Sequence, residues 1–355
     1  MPVGEPAGAT AVGADWLEAV MTRALASRGL SPEHQAAVVE GLLEASLRGV
    51  DTHGVRLFPT YLKELDGGRA AVRPQMTWQE NYSSAHLLDA GSALGLVAGR
   101  TACQRATELA RNHGVGAVVV RNSNHFGPAS AFTLWLARQG LIGLCCTNSD
   151  ALVAPFQGVE ALLGTNPISC AVAGEGDDVF CLDMATSQVS YSCTKIFREE
   201  GRPLEPRWAV DATGQDCAST EAGSPSALLP LGGYKGQGLG MAVSLLCALL
   251  AQEPLDDELS HLFAPPYDRG RRVSHFFLAL NIGAFSDEER FRSRLSSWLR
   301  QFYGSEPSGD ESVSTPGAQE ARVAAHRGQN GIPLKPELLE WFRRVEGEGS
   351  GVRQP

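Results

Sequence analysis

The sequence has no run of lysines and arginines and no long apolar run, and each absence excludes a class of protein. Its 355 residues include 30 Lys and Arg against 40 Asp and Glu, a formal net charge of −10. Because nucleic acids and anionic membranes attract basic surfaces, neither is expected as a partner. No apolar run reaches the roughly 18 residues that a membrane-spanning helix needs. Residues 1–14 also lack the basic start and apolar middle of a signal peptide, so we expect a cytoplasmic protein with a short disordered N-terminal tail.

The eight cysteines show no pattern of pairing. No two of them form a C-x-x-C pair, and none has the Cys/His spacing of a metal site. Most lie in apolar runs, where cysteine behaves as a small hydrophobic residue. We therefore predict neither disulfides nor a bound metal. The composition, 43% hydrophobic and 20% charged, is that of an ordinary globular protein, and the length favours two domains or one intertwined pair.

A conventional dinucleotide-binding fingerprint is also missing, because the glycine cluster at residues 236–240 (GQGLG) follows no convincing strand. Lys235 is not followed by Ser or Thr, as it would be in a P-loop. Five glycines around Lys235 nevertheless precede an apolar helix, an arrangement that can seat an anion against the free N–H groups of the helix. The alternative is that these glycines only let a buried helix pack closely.

The first part of the sequence has the pattern of helices. Residues 15–28 are amphipathic, and Ser31-Pro32-Glu33 is a helix start that we expect to continue to about Arg48. A short helix begins at Pro59 and ends at residues 67–68. From about residue 72 the pattern changes to alternating helices and strands. The predicted helices are 94–112 and 128–139, and the predicted strands are 115–120, 141–146, 152–156, 168–172 and 179–182.

Two histidines lie at opposite ends of predicted helices. His53 follows the C-terminus of the second helix, where the helix dipole favours the imidazolium form that suits a proton donor. His125 precedes the helix that starts at Pro128, where the dipole disfavours a positive charge, so we expect it to be neutral. Both could instead be structural, His53 as a residue beside a turn and His125 as the cap of its loop.

Eight stretches together resemble one family, the NAD(P)-dependent malate/L-lactate dehydrogenase-like oxidoreductases, over nearly the whole chain. They occur in the order of the family, and each alone is a weak signal. The stretches are residues 51–55 (DTHGV), 123–127 (SNHFG), 164–167 (GTNP), 182–187 (LDMATS), 208–211 (WAVD), 230–236 (PLGGYKG), 315–317 (TPG) and 331–334 (GIPL).

The resemblance implies an α/β fold in which a non-Rossmann, mixed-sheet cofactor domain accompanies a discontinuous helical domain. We expect the helical domain at residues 1–75, completed by about 225–265 and 318–355. The cofactor domain should span residues 76–224, completed by about 270–317, with a returning strand at 273–281.

The resemblance also implies a homodimer that transfers hydride between NAD or NADP and a small 2-hydroxy or 2-oxo acid. Members of the family act on malate, sulfolactate, ureidoglycolate, diketogulonate and cyclic imino acids. Reduction of a cyclic or open-chain 2-imino acid is therefore an alternative. A catalytically silent relative that binds a ligand or a partner is a second alternative.

Individual site residues follow from the resemblance. Asp183 has two candidate roles, since it could orient a histidine or hold the cofactor. The catalytic candidates are His53, His125 and Asp183. The candidates for substrate binding are Arg56, Tyr61, Thr165 and Asn166. The candidates for cofactor binding are Ser149, Asp183, Met184, Ala185, Lys235, Pro316, Gly317 and Ala318.

Three departures from the family pattern affect substrate and cofactor choice. Where many relatives have an arginine four residues after the first histidine, this chain has Leu57, with Arg56 one position earlier. A lysine expected at position 193 is replaced by Cys193, with Lys195 two positions later. The acid often found after Pro-Gly is replaced by Ala318 and Gln319.

Overall fold

The computed structural model describes residues 8–218 and 225–349. The helices are α1 (Ala14–Ser27), α2 (Pro32–Leu47), α3 (Phe58–Gly67), α4 (Gly95–His113), α5 (Ala129–Arg138), α6 (Tyr191–Glu199), α7 (Tyr234–Ser244), α8 (Glu288–Tyr303), α9 (Ala318–Asn330) and α10 (Pro336–Gly349). The strands are β1 (Thr10–Val12), β2 (Thr77–Tyr82), β3 (Ala85–Asp89), β4 (Val115–Ser123), β5 (Leu141–Thr147), β6 (Ile168–Ala173), β7 (Val179–Met184), β8 (Ala209–Val210), β9 (Ala227–Leu228), β10 (Val273–Asn281) and β11 (Ile332–Leu334).

Seven strands form one mixed sheet in the order β2-β3-β4-β10-β5-β6-β7. Only β3 and β4 pair in parallel, and the other neighbours are antiparallel. The returning strand β10 has the predicted bounds and lies between β4 and β5. Helix α4 packs on β4, and α5 packs on β5 and β6. The prediction of a mixed sheet is confirmed.

Local sequence signals explain the helices that lead to the first histidine. The Ser31 side chain caps α2 by accepting a hydrogen bond from the backbone N–H of His34, and Pro32 occupies the first helical position. Helix α3 ends at Gly68, which has φ +87°. Between these helices the chain forms a short 3₁₀ turn, Asp51–His53.

The largest hydrophobic core joins the N-terminal helices to the sheet. Leu42 from α2 and Phe58 from α3 lie in the same cluster as Leu88, Val118 and Phe277 from three strands, and all five are completely buried. This packing holds the connection between α2 and α3, which carries His53, against the sheet. Because burial of apolar surface is the main stabilising term in folding, the position of this connection is set by the core.

Three local predictions were wrong. Residues 152–156 form isolated bridges through Val153 rather than a strand, and Pro155 has no N–H to continue a ladder. In the predicted disordered N-terminal tail, β1 pairs with β11, although residues 1–7 lie outside the described residues. The C-terminal tail was predicted to be disordered from residue 346, but α10 continues to Gly349. Residues 219–224, at the predicted domain boundary, and residues 350–355 are outside the described ranges.

Within those same ranges, no helix has the length and apolar character needed to cross a membrane.

Candidate active site

The fold brings the two predicted histidines together. His53 lies in the 3₁₀ turn after α2, and His125 lies in the loop between β4 and α5. Their rings are stacked, with centroids 5.7 Å apart and planes at 23°. Two imidazoles in such a position can act on one substrate atom, because general acid–base catalysis needs groups within hydrogen-bond reach of the same proton.

The hydrogen bonds of His125 define its protonation. Its Nδ1 accepts the backbone N–H of Gly127 at 3.3 Å and lies 2.9 Å from the hydroxyl oxygen of Tyr61. Since a backbone N–H can only donate, Nδ1 carries no proton, and the Tyr61 hydroxyl donates to it. Burial lowers the pKa of His125 well below its usual value, and the nearby His53 and Arg271 lower it further. His125 is therefore neutral, with its proton on Nε2.

His53 is also neutral near pH 7, which corrects the expectation of an imidazolium. Burial lowers its pKa to about 4, and the positive charge of Arg56 acts in the same direction. The dipole argument was wrong because α2 ends at Leu47, six residues earlier, and the effect of a dipole fades within the last turn. The ring is held by a 2.9 Å contact between Nδ1 and the hydroxyl of Thr52.

Tyr61 was predicted to lie close to the substrate, and in the structure its side chain contacts His125. The side chain is completely buried, and its hydroxyl is used by His125. A phenol in this position orients the imidazole and fixes which nitrogen carries the proton. The geometry thus makes Tyr61 a positioning residue for His125.

Asn166, also predicted on the substrate side, is completely buried in this structure. Its Oδ1 accepts the backbone N–H of Ser149 at 3.1 Å. The two hydrogens of its NH₂ group are shared among three oxygens, the Asp256 carboxylate at 2.7 Å, the Gly240 carbonyl at 3.1 Å and the Ser244 hydroxyl at 3.1 Å. Every polar atom of the amide is engaged within the protein.

Ser149 and Thr165, in contrast, are only partly buried. The Oγ of Ser149 accepts the backbone N–H of Thr165 at 3.0 Å, which joins the turn after β5 to the turn before β6. The carbonyl of Thr165 accepts the N–H of Thr186, so the segment after β7 is attached as well. Three predicted ligand-binding segments therefore meet at the same end of strands β5, β6 and β7.

Asp183 lies at the end of β7, where its Oδ2 accepts the backbone N–H of Ser130 at 2.8 Å. Partial desolvation by the surrounding protein raises the pKa of Asp183, although part of the side chain is open to solvent. In the described part of the chain it makes no hydrogen bond or ion pair to His53 or His125. The geometry favours its second candidate role, that of a cofactor contact, and Met184 and Ala185 follow it directly.

The turn Pro316-Gly317-Ala318 lies beside the same strand. The Pro316 carbonyl accepts the N–H of Cys181, two residues before Asp183. Gly317 has φ +87°, and a Cβ there would lie 2.7 Å from the Cβ of Cys181, so glycine is required. The structure thus places the second predicted cofactor segment next to the first.

The glycines at the start of α7 differ in what they do for the backbone. Gly232 and Gly233 have φ of +59° and +71°, which forms a tight turn before the helix. Gly236 instead allows close packing, because a Cβ there would lie 2.7 Å from the carbonyl oxygen of Thr186. Lys235 is exposed in the first turn of α7, with no ion pair among the described residues.

Arg56 and Leu57 have different environments. Leu57 belongs to the core, with 3% exposure, so the position of the family arginine carries no charge here. Arg56 is exposed, has no ion pair within residues 8–218 and 225–349, and lies close enough to His53 to lower its pKa. It is a free cation at the edge of the histidine pair.

Sequence reasoning missed Arg271. It precedes β10 and is buried, and its guanidinium pairs with the carboxylate of Asp150, the neighbour of Ser149. Its charge also lowers the pKa of His125. No local pattern could have found this pair, because 121 residues separate its members.

Comparisons with known proteins give the family of the chain. The family model described as malate/L-lactate dehydrogenase matches residues 12–343. This chain belongs to the malate/L-lactate dehydrogenase family. It is 34% identical over 340 residues to a malate dehydrogenase of Pyrococcus abyssi, covering 93% of this chain and 92% of the relative. It is 30% identical over 327 residues to a ureidoglycolate dehydrogenase (NAD(+)) of Escherichia coli O157:H7, covering 92% and 93%.

A solved structure gives the same result for the fold of this dehydrogenase family member. The delta1-piperideine-2-carboxylate reductase from Pseudomonas syringae pvar. tomato superposes with a TM-score of 0.83 at 27% identity, covering 95% of this chain and 99% of that chain. The residues of these segments fit a nicotinamide dinucleotide. Lys235 is an exposed cation with no ion pair among the described residues, the glycine turns permit close approach of a ligand, and Ser149 and Thr165 offer hydroxyls.

Proposed function

We propose that this protein transfers hydride between NAD or NADP and the 2-carbon of a small 2-hydroxy or 2-oxo acid, with the chemistry at His53 and His125. The stacked pair of neutral histidines carries the proposal, because it lies in a member of this dehydrogenase family beside the predicted cofactor segments. The nicotinamide ring supplies or accepts the hydride when it is bound. Ser149, Asp183, Met184, Ala185, Lys235, Pro316, Gly317 and Ala318 are the residues we propose to hold the cofactor.

In the reductive direction the substrate oxygen gains negative charge, so a proton must be supplied from within about 3 Å. We assign the donor role to His53 and a hydrogen bond to the same oxygen from Nε2–H of His125. The bound substrate would prepare His53 for this role. A carboxylate beside Arg56 offsets the charge that lowers the pKa of His53, so its proton affinity rises when substrate binds.

Arg56 is the group that we propose to bind the substrate carboxylate. It is exposed, unpaired in the described ranges and close to His53. A guanidinium can bind a carboxylate in bidentate fashion. We propose that Thr165, which contacts Ser149, also binds the substrate.

The experiment that tests the function is a fluorescence titration with NADH and NADPH, followed by a panel of 2-oxo and 2-imino acids. Turnover of a 2-oxo acid supports the proposal. Turnover of cyclic imines alone would favour the second candidate, which the similarity to delta1-piperideine-2-carboxylate reductase supports. Tight cofactor binding without turnover of any substrate would favour a ligand-binding relative.

We further propose that the protein is a homodimer. The outer face of α7 and of the π-helical segment Leu245–Leu249 that continues it is apolar and exposed. Such a contiguous patch is uncommon on a monomer and is typical of an interface. Its members are Leu239, Met241, Leu245, Leu246, Leu249 and Leu250, which are 38% to 57% exposed.

The division into a helical domain and a cofactor domain also remains our proposal, as does a cytoplasmic location. Two contacts support the division. Helix α10 packs on α1, at the opposite end of the chain, and β10 returns to the centre of the sheet.

A further inference from the structure

Asp256 is a buried carboxylate that has no ion pair in the described part of the chain. It is 1% exposed and begins a 3₁₀ turn, Asp256–Glu258. Its Oδ2 accepts the backbone N–H of Gly164 at 2.9 Å, the Asn166 amide at 2.7 Å and the Ser244 hydroxyl at 3.1 Å. Among the described residues, its Oδ1 has no hydrogen-bond partner. A carboxylate buried in this way is costly, so the contacts that it does make need an explanation.

The contact between Asp256 and the side-chain amide of Asn166 explains why a buried carboxylate is present here. An amide has a donating and an accepting end of almost equal size, so its orientation depends on its neighbours. The Oδ2 of Asp256 is the acceptor for the Gly164 N–H and the Ser244 hydroxyl as well, and it therefore holds the Nδ2 end of Asn166 toward itself. The Oδ1 end is then directed at the backbone N–H of Ser149, which it accepts at 3.1 Å.

We propose that Asp256 is a positioning residue for the cofactor site, acting through the amide of Asn166 on the turn at Ser149. This inference rests on the proposed function, since it assumes that Ser149 contacts the cofactor. The same amide also donates to the Gly240 carbonyl in α7, the helix that carries Lys235. Asp256 thereby fixes two cofactor segments relative to each other, although it touches neither the substrate nor the cofactor.

Three variants of the full-length protein test the proposal. Asp256→Leu removes the acceptor at similar size. Asp256→Asn keeps one oxygen for the three donors and places its NH₂ at the position of Oδ1. Asp257→Leu is the matched control, because Asp257 is the exposed neighbour and has no hydrogen bond or ion pair within the described residues. The measurements are the Kd of the preferred reduced cofactor by fluorescence, kcat at saturating cofactor and the melting temperature.

We expect Asp256→Leu to raise the cofactor Kd at least tenfold, while kcat at saturation stays within about threefold of the unmodified enzyme. Asp256→Asn should keep Kd within about threefold, and Asp257→Leu should not change it. A purely structural residue would instead lower the melting temperature without this separation of Kd from kcat. An unchanged Kd in folded Asp256→Leu overturns the proposal.

A second variant applies if Asp256→Leu does not fold. Asn166→Asp places two carboxylates in contact and should raise Kd, because the N–H group of the amide that Asp256 accepts is lost. An unchanged Kd in folded Asn166→Asp contradicts the proposed orientation of the amide. Amide hydrogen exchange at Ser149 gives a readout that needs no cofactor, and we expect it to be at least tenfold faster in Asn166→Asp than in the unmodified protein. If the unmodified protein binds neither NADH nor NADPH, the proposed function fails first and the inference fails with it.

Discussion

Arg327 forms a bidentate ion pair with Asp51, two residues before His53. The Nη1 and Nη2 atoms lie 2.7 and 2.9 Å from the two carboxylate oxygens, and Nη1 also donates to the Ser46 carbonyl at the end of α2. A guanidinium in a fixed fork holds the 3₁₀ turn in one geometry. Helix α9, which starts at the Pro316-Gly317 turn, is thus fastened to the segment that carries the proposed proton donor.

We expect Arg327→Leu to lower kcat/KM by about tenfold or more, because loss of the fork leaves the turn at His53 free to shift, and a small misplacement of a catalytic group is costly. The free energy of unfolding should fall by about 1.5 to 3 kcal/mol, the usual range for hydrogen bonds to charged groups. Arg322→Leu is the control, since Arg322 is an exposed residue of the same helix. Equal activity of the two variants would show that Arg327 does not position His53.

Tyr61→Phe should lower kcat/KM by about tenfold while the protein remains folded. The change removes the hydroxyl that donates to Nδ1 of His125 and leaves the ring in the core. Without that donor the imidazole tautomer is less well fixed. Tyr82→Phe, at a position that is 76% exposed, is the control in the same steady-state assay. Full activity of Tyr61→Phe would refute a positioning role for the hydroxyl.

The pH profile of the oxidative reaction should reveal His53. As the base, His53 must be unprotonated in the free enzyme, and its pKa of about 4 lies below its usual value. We therefore expect kcat/KM to be constant from neutral pH down to about pH 5 and to fall below pH 4, since kcat/KM reports groups of the free enzyme. His53→Ala should lower turnover by roughly 10²-fold, the scale of general acid–base catalysis. It should also abolish the fall of kcat/KM below pH 4, which we call the acid limb of the profile.

His125→Ala should weaken cofactor binding as well as turnover, because its loop borders the cofactor side. If His53→Ala keeps near-normal turnover while His125→Ala abolishes it with cofactor binding intact, the two roles are reversed. An acid limb that persists in His53→Ala would assign the titration to another group.

Arg56→Leu should raise KM for a 2-oxo acid by tenfold or more, because the substrate carboxylate loses its cation, with a smaller change in cofactor Kd. Loss of the positive charge should also shift the acid limb to higher pH, since Arg56 lowers the pKa of His53. Arg272→Leu serves as the control for an exposed arginine outside the pair. An unchanged KM in Arg56→Leu would mean that another residue binds the carboxylate.

Leu245→Glu should convert the proposed dimer to a monomer, because a carboxylate cannot be buried at an apolar interface without a partner. Leu245 is 57% exposed in the single chain. Light scattering coupled to size-exclusion chromatography gives the mass directly. Phe285→Glu, on an exposed site outside α7, should leave the mass unchanged. A monomeric unmodified protein would contradict the dimer.

The sequence predicted most of the secondary structure, because its signals are local. Ser31 and Pro32 mark the start of α2, Gly68 marks the end of α3, and β10 has its predicted bounds. The motifs around His53 and His125 also gave the family, which the match over residues 12–343 confirms. Each of these signals lies within a few residues of the feature that it determines.

Only the tertiary structure decided the electrostatics and the contacts of the site. The dipole argument gave His53 a positive charge, but desolvation in the folded chain lowers its pKa to about 4. Tyr61 and Asn166 were predicted as substrate contacts from their motifs, and only the folded chain shows that their buried side chains hydrogen-bond to His125 and Ser149. Arg327 meets Asp51 across 276 residues. Burial and long-range pairing depend on how distant segments pack, and no local pattern of residues contains that information.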